Sequence, residues 1–398
     1  MNRRQLIAGV SVMAATASLP GAARTKRKQA MTNPIRIGFC TDLSGPYQSV
    51  DGPSGAAAIR MAIADMSGSV AGRSVELLLG DHRNDPNEAA AIAARWYREQ
   101  DVDVVISGVN SDTSLAMTRV ATEVGKPILV VGAGTSVQTR ERANRNVIQY
   151  AYDTVALATV PGLVLSSQGK KRWFYITADY AFGRELEAHG RAAVRAAGGT
   201  VVGSVLNPHE ANDFTPFVQA ALDSGAQVLG LANGHAELIK AMAAMTRMGV
   251  RQRMTLVGLL TFVGDIHEME LAEGQGLYLA DSWFWTRDAA SRAWAKRFHA
   301  SEKVMPSSLQ AADYSAVTQY LRAVRATGGT DAKAVIDHLR GATLNDVYVQ
   351  NGRIRADGTM LHDMYLLRVK APDRSTGPWD VYDLVATVPG AEAFPDSR

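Results

Sequence analysis

Ile35-Arg36-Ile37-Gly38-Phe39-Cys40-Thr41-Asp42-Leu43-Ser44-Gly45-Pro46-Tyr47 decides the fold. Its first half is an apolar run of the buried-strand type. Its second half is a small, polar turn, and the residues that follow, 54–66, are amphipathic. The same succession recurs. Apolar runs at 75–79, 102–106 and 127–131 alternate with amphipathic stretches at 87–99 and 113–124. Asp85-Pro86-Asn87-Glu88 carries the Asp cap and first-turn Pro of a helix start. Strands apolar on both faces, alternating with helices, predict a parallel doubly wound sheet.

The pattern then begins again. Residues 172–177, 200–205, 227–231 and 254–257 read as strands, and 182–197, 213–224 and 236–248 as helices, with a long helix at 154–167 near the junction. After a strand at 276–280 come helices at 291–303, 309–326 and 331–340. Short strands follow at 347–350, 353–356, 364–369 and 381–384. A third set of helices after a complete second unit implies that the chain recrosses to the first. The expected fold is α/β: two Rossmann-like doubly wound lobes joined by a multi-strand hinge, with a ligand cleft between them. The boundaries are 34–152 plus 286–345 for the N-terminal lobe, 153–285 plus 346–385 for the C-terminal lobe, and a tail at 386–398.

A chain of 398 residues exceeds what one core usually serves, which agrees with two lobes. The first 30 residues read as an export signal. Arg3-Arg4 precedes a soft apolar stretch that ends near Leu19, and small residues and a basic run follow. The arginine pair resembles the twin-arginine type. The formal charge is +3, and residues 1–30 hold six basic side chains (Arg3, Arg4, Arg24, Lys26, Arg27, Lys28) and no acids. Cleavage after Ala30 takes the charge from +3 to −3, and cleavage after Ala23 leaves +1. A near-neutral mature protein has no electrostatic footprint for nucleic acid. The single cysteine, Cys40, sits in a strand pattern and reads as a small buried hydrophobe.

In open parallel sheets, ligands bind beyond the carboxyl ends of the strands. Here those ends carry Thr41–Tyr47, Gly108–Ser114 and Gly132–Ser136 in the first unit. The second unit offers Ala178–Gly183, Asn233-Gly234-His235 and Leu260-Thr261-Phe262, and the junction offers Asp281–Trp285. The first-unit loops are hydroxyl- and glycine-rich, which suits an anion held by backbone N–H groups and hydroxyls at helix starts. The second unit supplies aromatics. The asymmetry fits a ligand with an anionic head on one lobe and an apolar body covered by the other. Trp283 and Trp285 either stack on the ligand or pack across the hinge. No nucleophile-plus-base constellation, metal-ligand spacing or phosphate loop is present, so no enzyme activity, metal or cofactor is expected. His82, His189, His267, His299 and His338 read as surface or helix-cap residues.

Taken together, Asp42-Leu43-Ser44-Gly45-Pro46, Gly80-Asp81-His82-Arg83-Asn84-Asp85-Pro86, Gly183 and Ala312-Asp313-Tyr314-Ser315-Ala316 resemble the type I periplasmic solute-binding proteins of the leucine/isoleucine/valine-binding family, which serve ABC importers. The resemblance runs from about residue 35 to about 384. It implies a monomer in the periplasm that captures a small molecule by cleft closure and delivers it to an inner-membrane ABC permease. It also implies ligand contacts at Ser111, Asp112, Thr113, Ala133, Thr135, Tyr180, His235 and Phe262, to which the residues add Trp283. Amino-acid binders of the family place an acid on the last of these loops to hold the ammonium group. Leu260-Thr261-Phe262-Val263 has none until Asp265, and Asp153 serves either that purpose or as a helix cap. The expected ligand is therefore a carboxylate without an amine, aromatic or short-chain. The alternatives are an amino acid or amide in the same cleft, a sensor component, or an exported oxidoreductase, which needs a cofactor loop that the sequence lacks.

Overall fold

The computed structural model describes residues 33–208 and 211–396; the expected export signal at 1–30 lies outside them. The opening stretch forms β1 (Ile35–Thr41) and α1 (Gln48–Asp65). α1 starts ahead of Pro53, which lies inside the helix beyond its first turn, rather than after it. β2 (Ser69–Val70), β3 (Arg73–Asp81), α2 (Pro86–Glu99), β4 (Val104–Ser107), α3 (Ser111–Val124), β5 (Ile128–Val130) and β6 (Val147–Gln149) follow. They make a six-stranded sheet in the order β2-β3-β1-β4-β5-β6, parallel except for the β2–β3 pair. The central strand β4 is buried throughout, as a sheet covered on both faces requires.

The second lobe repeats the scheme with α4 (Thr154–Ser167), β7 (Arg172–Ala178), α5 (Ala181–Ala196), β8 (Thr200–Asn207), α6 (Thr215–Asp223), β9 (Val228–Ala232), α7 (His235–Arg247), β10 (Thr255–Gly258) and β11 (Tyr278–Asp281). The chain then returns to the first lobe as α8 (Ala289–Glu302), α9 (Ser308–Thr327) and α10 (Ala332–Gly341). α9 packs on α1, where Tyr314 Oη donates to Asp65 at 2.7 Å.

The return lasts longer than expected. The hairpin of β12 (Arg353–Ile354) and β13 (Met360–Leu361) stays with the first sheet, since Gln149 N donates to Gly358 O at 3.0 Å and Gln149 bridges to Thr359. Residues 347–350, expected as a strand, form a loop that buries Tyr348. The chain recrosses near His362, and β14 (Met364–Val369) and β15 (Tyr382–Val388) extend the second sheet, in the order β15-β14-β11-β10-β9-β7-β8. β15 runs past residue 385 and Phe394 is buried, so this end of the chain is packed structure and not a tail.

Three crossovers meet at the hinge. Ala151 O receives Tyr348 Oη at 3.1 Å and lies 2.8 Å from His362 Nε2, and the Tyr348 and His362 rings are 5.6 Å apart. One apolar core runs from Phe39 of the first sheet through Tyr150 and Trp283 to Trp173 of the second. Cys40 is fully buried in the first lobe and burial pushes its thiol pKa up, as a structural cysteine requires.

Candidate functional site

The loops at the carboxyl ends of the first sheet are wired internally. Asp42, fully buried, accepts Gly45 N at 2.7 Å and Tyr47 N at 2.8 Å. Asp81 accepts Leu43 N at 3.0 Å and Ser44 Oγ at 2.6 Å. The Asp42–Pro46 motif thus folds a turn that presents Tyr47. Asn110 caps α3 by accepting Asp112 N at 2.8 Å and Thr113 N at 3.0 Å, as an N-cap amide does. Ser111 Oγ accepts Thr135 N at 3.2 Å, which ties the loop after β4 to the loop after β5 and leaves the Ser111 hydroxyl proton for another acceptor.

The second lobe brings rings to the same place. Tyr180 and Phe182, at the start of α5, lie 6.2 Å apart and nearly parallel. Gly183 lets that helix start press against the Ala178 and Ala232 carbonyls, where any side chain would collide. Phe262 lies 6.2 Å from Tyr152. Gly134 of the first lobe sits against both groups: a Cβ there would meet Phe182 at 2.9 Å and Tyr152 at 3.3 Å. Tyr180 hydrogen-bonds Tyr47 across the cleft and feels the charge of Asp112. Burial, first of all, raises its pKa. The lobes therefore face each other closely around Gly134, Tyr152, Tyr180, Phe182 and Phe262.

Polar atoms without protein partners mark the same end of the second sheet. Asn233, which follows β9, is fully buried, and neither its Oδ1 nor its Nδ2 has a partner among the described residues. Thr261 Oγ1 and Asn207 Oδ1, after β10 and at the end of β8, are also unpartnered. Buried polar groups of this kind cost about 1–3 kcal/mol each unless something satisfies them.

The expected site residues divide. Ser111, Tyr180 and Phe262 lie where the lobes meet, Asp112 is exposed at the rim, and Ala133 is buried in the core of the first lobe. Thr113 is turned inward: its Oγ1 lies 3.0 Å from Asn110 O and 3.2 Å from Val109 O, 3.4 Å from His82 Nε2. His82 is fully buried, against the surface role expected of it, with Nδ1 accepting Asn84 N at 3.0 Å. Thr135 Oγ1 donates to Glu185 Oε2 of α5 at 3.0 Å, so its hydroxyl is already committed. His235 Nδ1 lies 2.9 Å from Asp265 Oδ1, and this hydrogen bond raises the His235 pKa. Trp283 is a hinge residue: it is fully buried, its Nε1 donates to Ser291 Oγ and Val347 O at 3.0 Å, and its ring meets Trp294 edge-on at 5.7 Å. Trp285 donates to Trp379 O at 2.8 Å.

Two acids were candidates for holding an ammonium group; Asp265 has both oxygens engaged within the protein, and Asp153 has one, its Oδ2 being buried with no partner among the described residues. Asp153 caps α4 by accepting Ala156 N at 2.7 Å, and burial raises its pKa to about 6. Asp265 caps the short helix Val263–Glu268 by accepting Phe262 N at 2.8 Å, and its other oxygen faces His235. Among the described residues no group of three or more His, Cys, Asp or Glu side chains is arranged to hold a metal ion. Sequence reasoning missed Tyr47, Asn233, Phe182 and Glu185 as site residues. Asn233 and Phe182 stood in the strand-end loops already singled out, and Tyr47 in the first of them.

Known proteins share this fold. A periplasmic binding protein from Burkholderia mallei is 46% identical, with a TM-score of 0.86 over 91% of this chain and 96% of that one. A branched-chain amino acid ABC transporter periplasmic ligand-binding protein from Burkholderia xenovorans LB400 is 32% identical, with a TM-score of 0.86 over 91% of this chain and 97% of that one. Leu/Ile/Val-binding protein homolog 6 of Brucella abortus is 27% identical over 194 residues, 48% of this chain and 49% of the relative, so the match spans about half that protein's length. The family model described as periplasmic binding protein matches residues 34–377, both lobes and the hinge between them, and the chain belongs to that family.

Proposed function

We propose that this protein captures a small aromatic carboxylate in the cleft between its lobes and delivers it to an ABC permease in the inner membrane, without chemistry on the ligand. The observation that carries the reading is the ring cluster at the cleft: Tyr152, Tyr180, Phe182 and Phe262 gather around Gly134. Flat rings offer contact to a flat ligand, and aromatic pairs contribute about 0.5–1.5 kcal/mol beyond their buried area. Asp265 has both oxygens engaged within the protein, which favours a ligand without an ammonium group. The Ser111 hydroxyl at the N-terminus of α3 is the donor best placed for an anionic head.

A thermal-shift screen tests this. Benzoate and hydroxybenzoates should raise the unfolding midpoint, because a ligand that binds only the native state stabilises it. A shift with leucine or valine and none with aromatic acids would favour the second reading, an amino acid, which the name of the Burkholderia xenovorans relative supports. Periplasmic placement has its own test. Changing Arg3 and Arg4 to lysine should hold precursor in the cytoplasm, and normal export of that variant would remove the twin-arginine route. Cleft closure should reduce the radius of gyration on adding benzoate.

A further inference from the structure

The turn after β5 is built as an anion seat. Ser136 offers its N–H and its hydroxyl, Thr135 offers its hydroxyl, and the Thr154 hydroxyl lies alongside at the start of α4. All four donors converge on one carboxylate, that of Glu185. Ser136 N, Ser136 Oγ and Thr154 Oγ1 each donate to Glu185 Oε1 at 2.7 Å, and Thr135 Oγ1 donates to Oε2 at 3.0 Å. Thr154 Oγ1 gives its proton to Glu185, so its contact with His189 Nδ1 at 3.1 Å requires that nitrogen to carry hydrogen. Burial lowers the His189 pKa, which leaves the ring neutral at neutral pH.

The placement of these groups matters. Thr135 and Ser136 belong to the first lobe, and Glu185 projects from α5 of the second. Thr154 stands just past the first crossover, with its N–H donating to Gly134 O at 2.7 Å. A half-buried carboxylate with four donors is a charge-assisted cluster, stronger than neutral hydrogen bonds of the same number.

We infer that Glu185 permanently fills the anion seat of the Thr135–Ser136 turn. It pins the two lobes beside the hinge, and the turn recognises the protein's own carboxylate rather than the acid group of a ligand. Glu185 is a positioning residue and a specificity determinant: it forces the ligand's anionic head away from Thr135. The inference bears on the acid-binding reading above. Its test uses no cleft ligand, so the two can fail separately.

The experiment is chemical rescue. Glu185→Ala empties the seat and leaves its donors in place. The unfolding midpoint of the variant should fall by several degrees. Acetate or formate at tens of millimolar should restore most of that loss, while chloride at equal ionic strength should not, and the wild type should not respond to acetate. Glu185→Gln fills the seat with a group that cannot accept all four donors. Its midpoint should fall and acetate should leave it unchanged, which keeps the test available where the alanine variant does not fold. Two results would overturn the inference: an alanine variant no more responsive to acetate than the wild type, or a glutamine variant with the wild-type midpoint.

Discussion

The two lobes repeat one α/β unit and present opposite surfaces to the cleft. On the first, the loops after β1, β4 and β5 spend their polar groups on one another: Asp42 on its own turn, Asn110 on α3, Ser111 on Thr135, Thr135 and Ser136 on Glu185. On the second, the loops after β9 and β10 hold Asn233 and Thr261, whose side-chain polar atoms lack partners among the described residues, and the loops after β7 and β10 add Tyr180, Phe182 and Phe262. Related sheets thus carry an internally bonded rim on the first lobe and a ring-bearing surface on the second, and buried polar atoms stay without partners among the described residues on both, Thr41 Oγ1 and Ser107 Oγ as well as Asn233 and Thr261 Oγ1. On the reading proposed above, the second lobe would supply the rings and the Asn233 amide to the ligand, and the first lobe the Ser111 donor.

The largest expected effect comes from closing the gap between those surfaces. Gly134→Val puts side-chain atoms where Phe182 and Tyr152 already lie. Affinity for 4-hydroxybenzoate, measured by calorimetry, should fall by more than about 100-fold, or about 2.8 kcal/mol. Unchanged affinity would mean that the two lobes do not meet there in the bound form.

Asn233→Leu should separate binding from stability. Removing a buried amide with no protein partner should raise the unfolding midpoint, and it should weaken binding by roughly 10- to 30-fold, about 1.4–2 kcal/mol. Thr113→Val makes the matching control on the first lobe. It loses an internal hydroxyl contact, so the midpoint should drop by about 1 kcal/mol equivalent with affinity nearly unchanged. Equal binding losses at both positions would abolish the contrast between lobes. Phe262→Leu should cost less, about three- to tenfold for ring-bearing acids and little for aliphatic ones, since aromatic contacts beyond area burial are small.

The fourth test concerns the first lobe's wiring. Asp51 of α1 and Asp313 of α9 are both fully buried and sit side by side, their carboxyl groups within hydrogen-bond reach of each other, with Gln310 Nε2 reaching Asp51 Oδ1 at 3.3 Å. Thr41, Phe39 and Tyr152 lie beside them. Burial raises both pKa values, that of Asp51 to about 7. The folded state therefore holds a proton that the unfolded chain releases near the ordinary carboxylate value. Stability contributed by the pair is present in acid and is lost as pH rises past the ordinary carboxylate range, through about 7 for Asp51 and through the raised value of Asp313. Asp313→Asn should flatten that decline and raise the midpoint at alkaline pH by about 2–5 °C. A decline of the same slope in the variant would show that the pair does not cause it.

Much of the fold was legible because it is written locally. The apolar runs at Ile37, Val104 and Val228 are strands buried on both faces, and Asp85-Pro86 starts a helix that the structure caps through Asp85. The extent of the last recrossing was not legible. The hairpin at Arg353–Leu361 joins the first sheet through Gln149 and Gly358, partners some two hundred residues apart in the chain. The site divided for the same reason. Strand-end loops could be located, but which hydroxyl faces outward depends on partners far away. Thr135 and Thr113 look alike in sequence; Glu185 claims one and the Val109 and Asn110 carbonyls the other. Trp283 could stack on a ligand or pack across the hinge on sequence alone; Ser291, Val347 and Trp294 enclose it, which is the second of these.

The central claim, that the cleft accepts an aromatic acid and not an amino acid, is tested most directly by titrating the wild-type protein calorimetrically with 4-hydroxybenzoate and with leucine under identical conditions. The account predicts saturable binding of the aromatic acid with a negative heat-capacity change, the mark of apolar surface buried between lobes, and no saturable heat with leucine. Saturation by leucine with no response to the aromatic acid would contradict it.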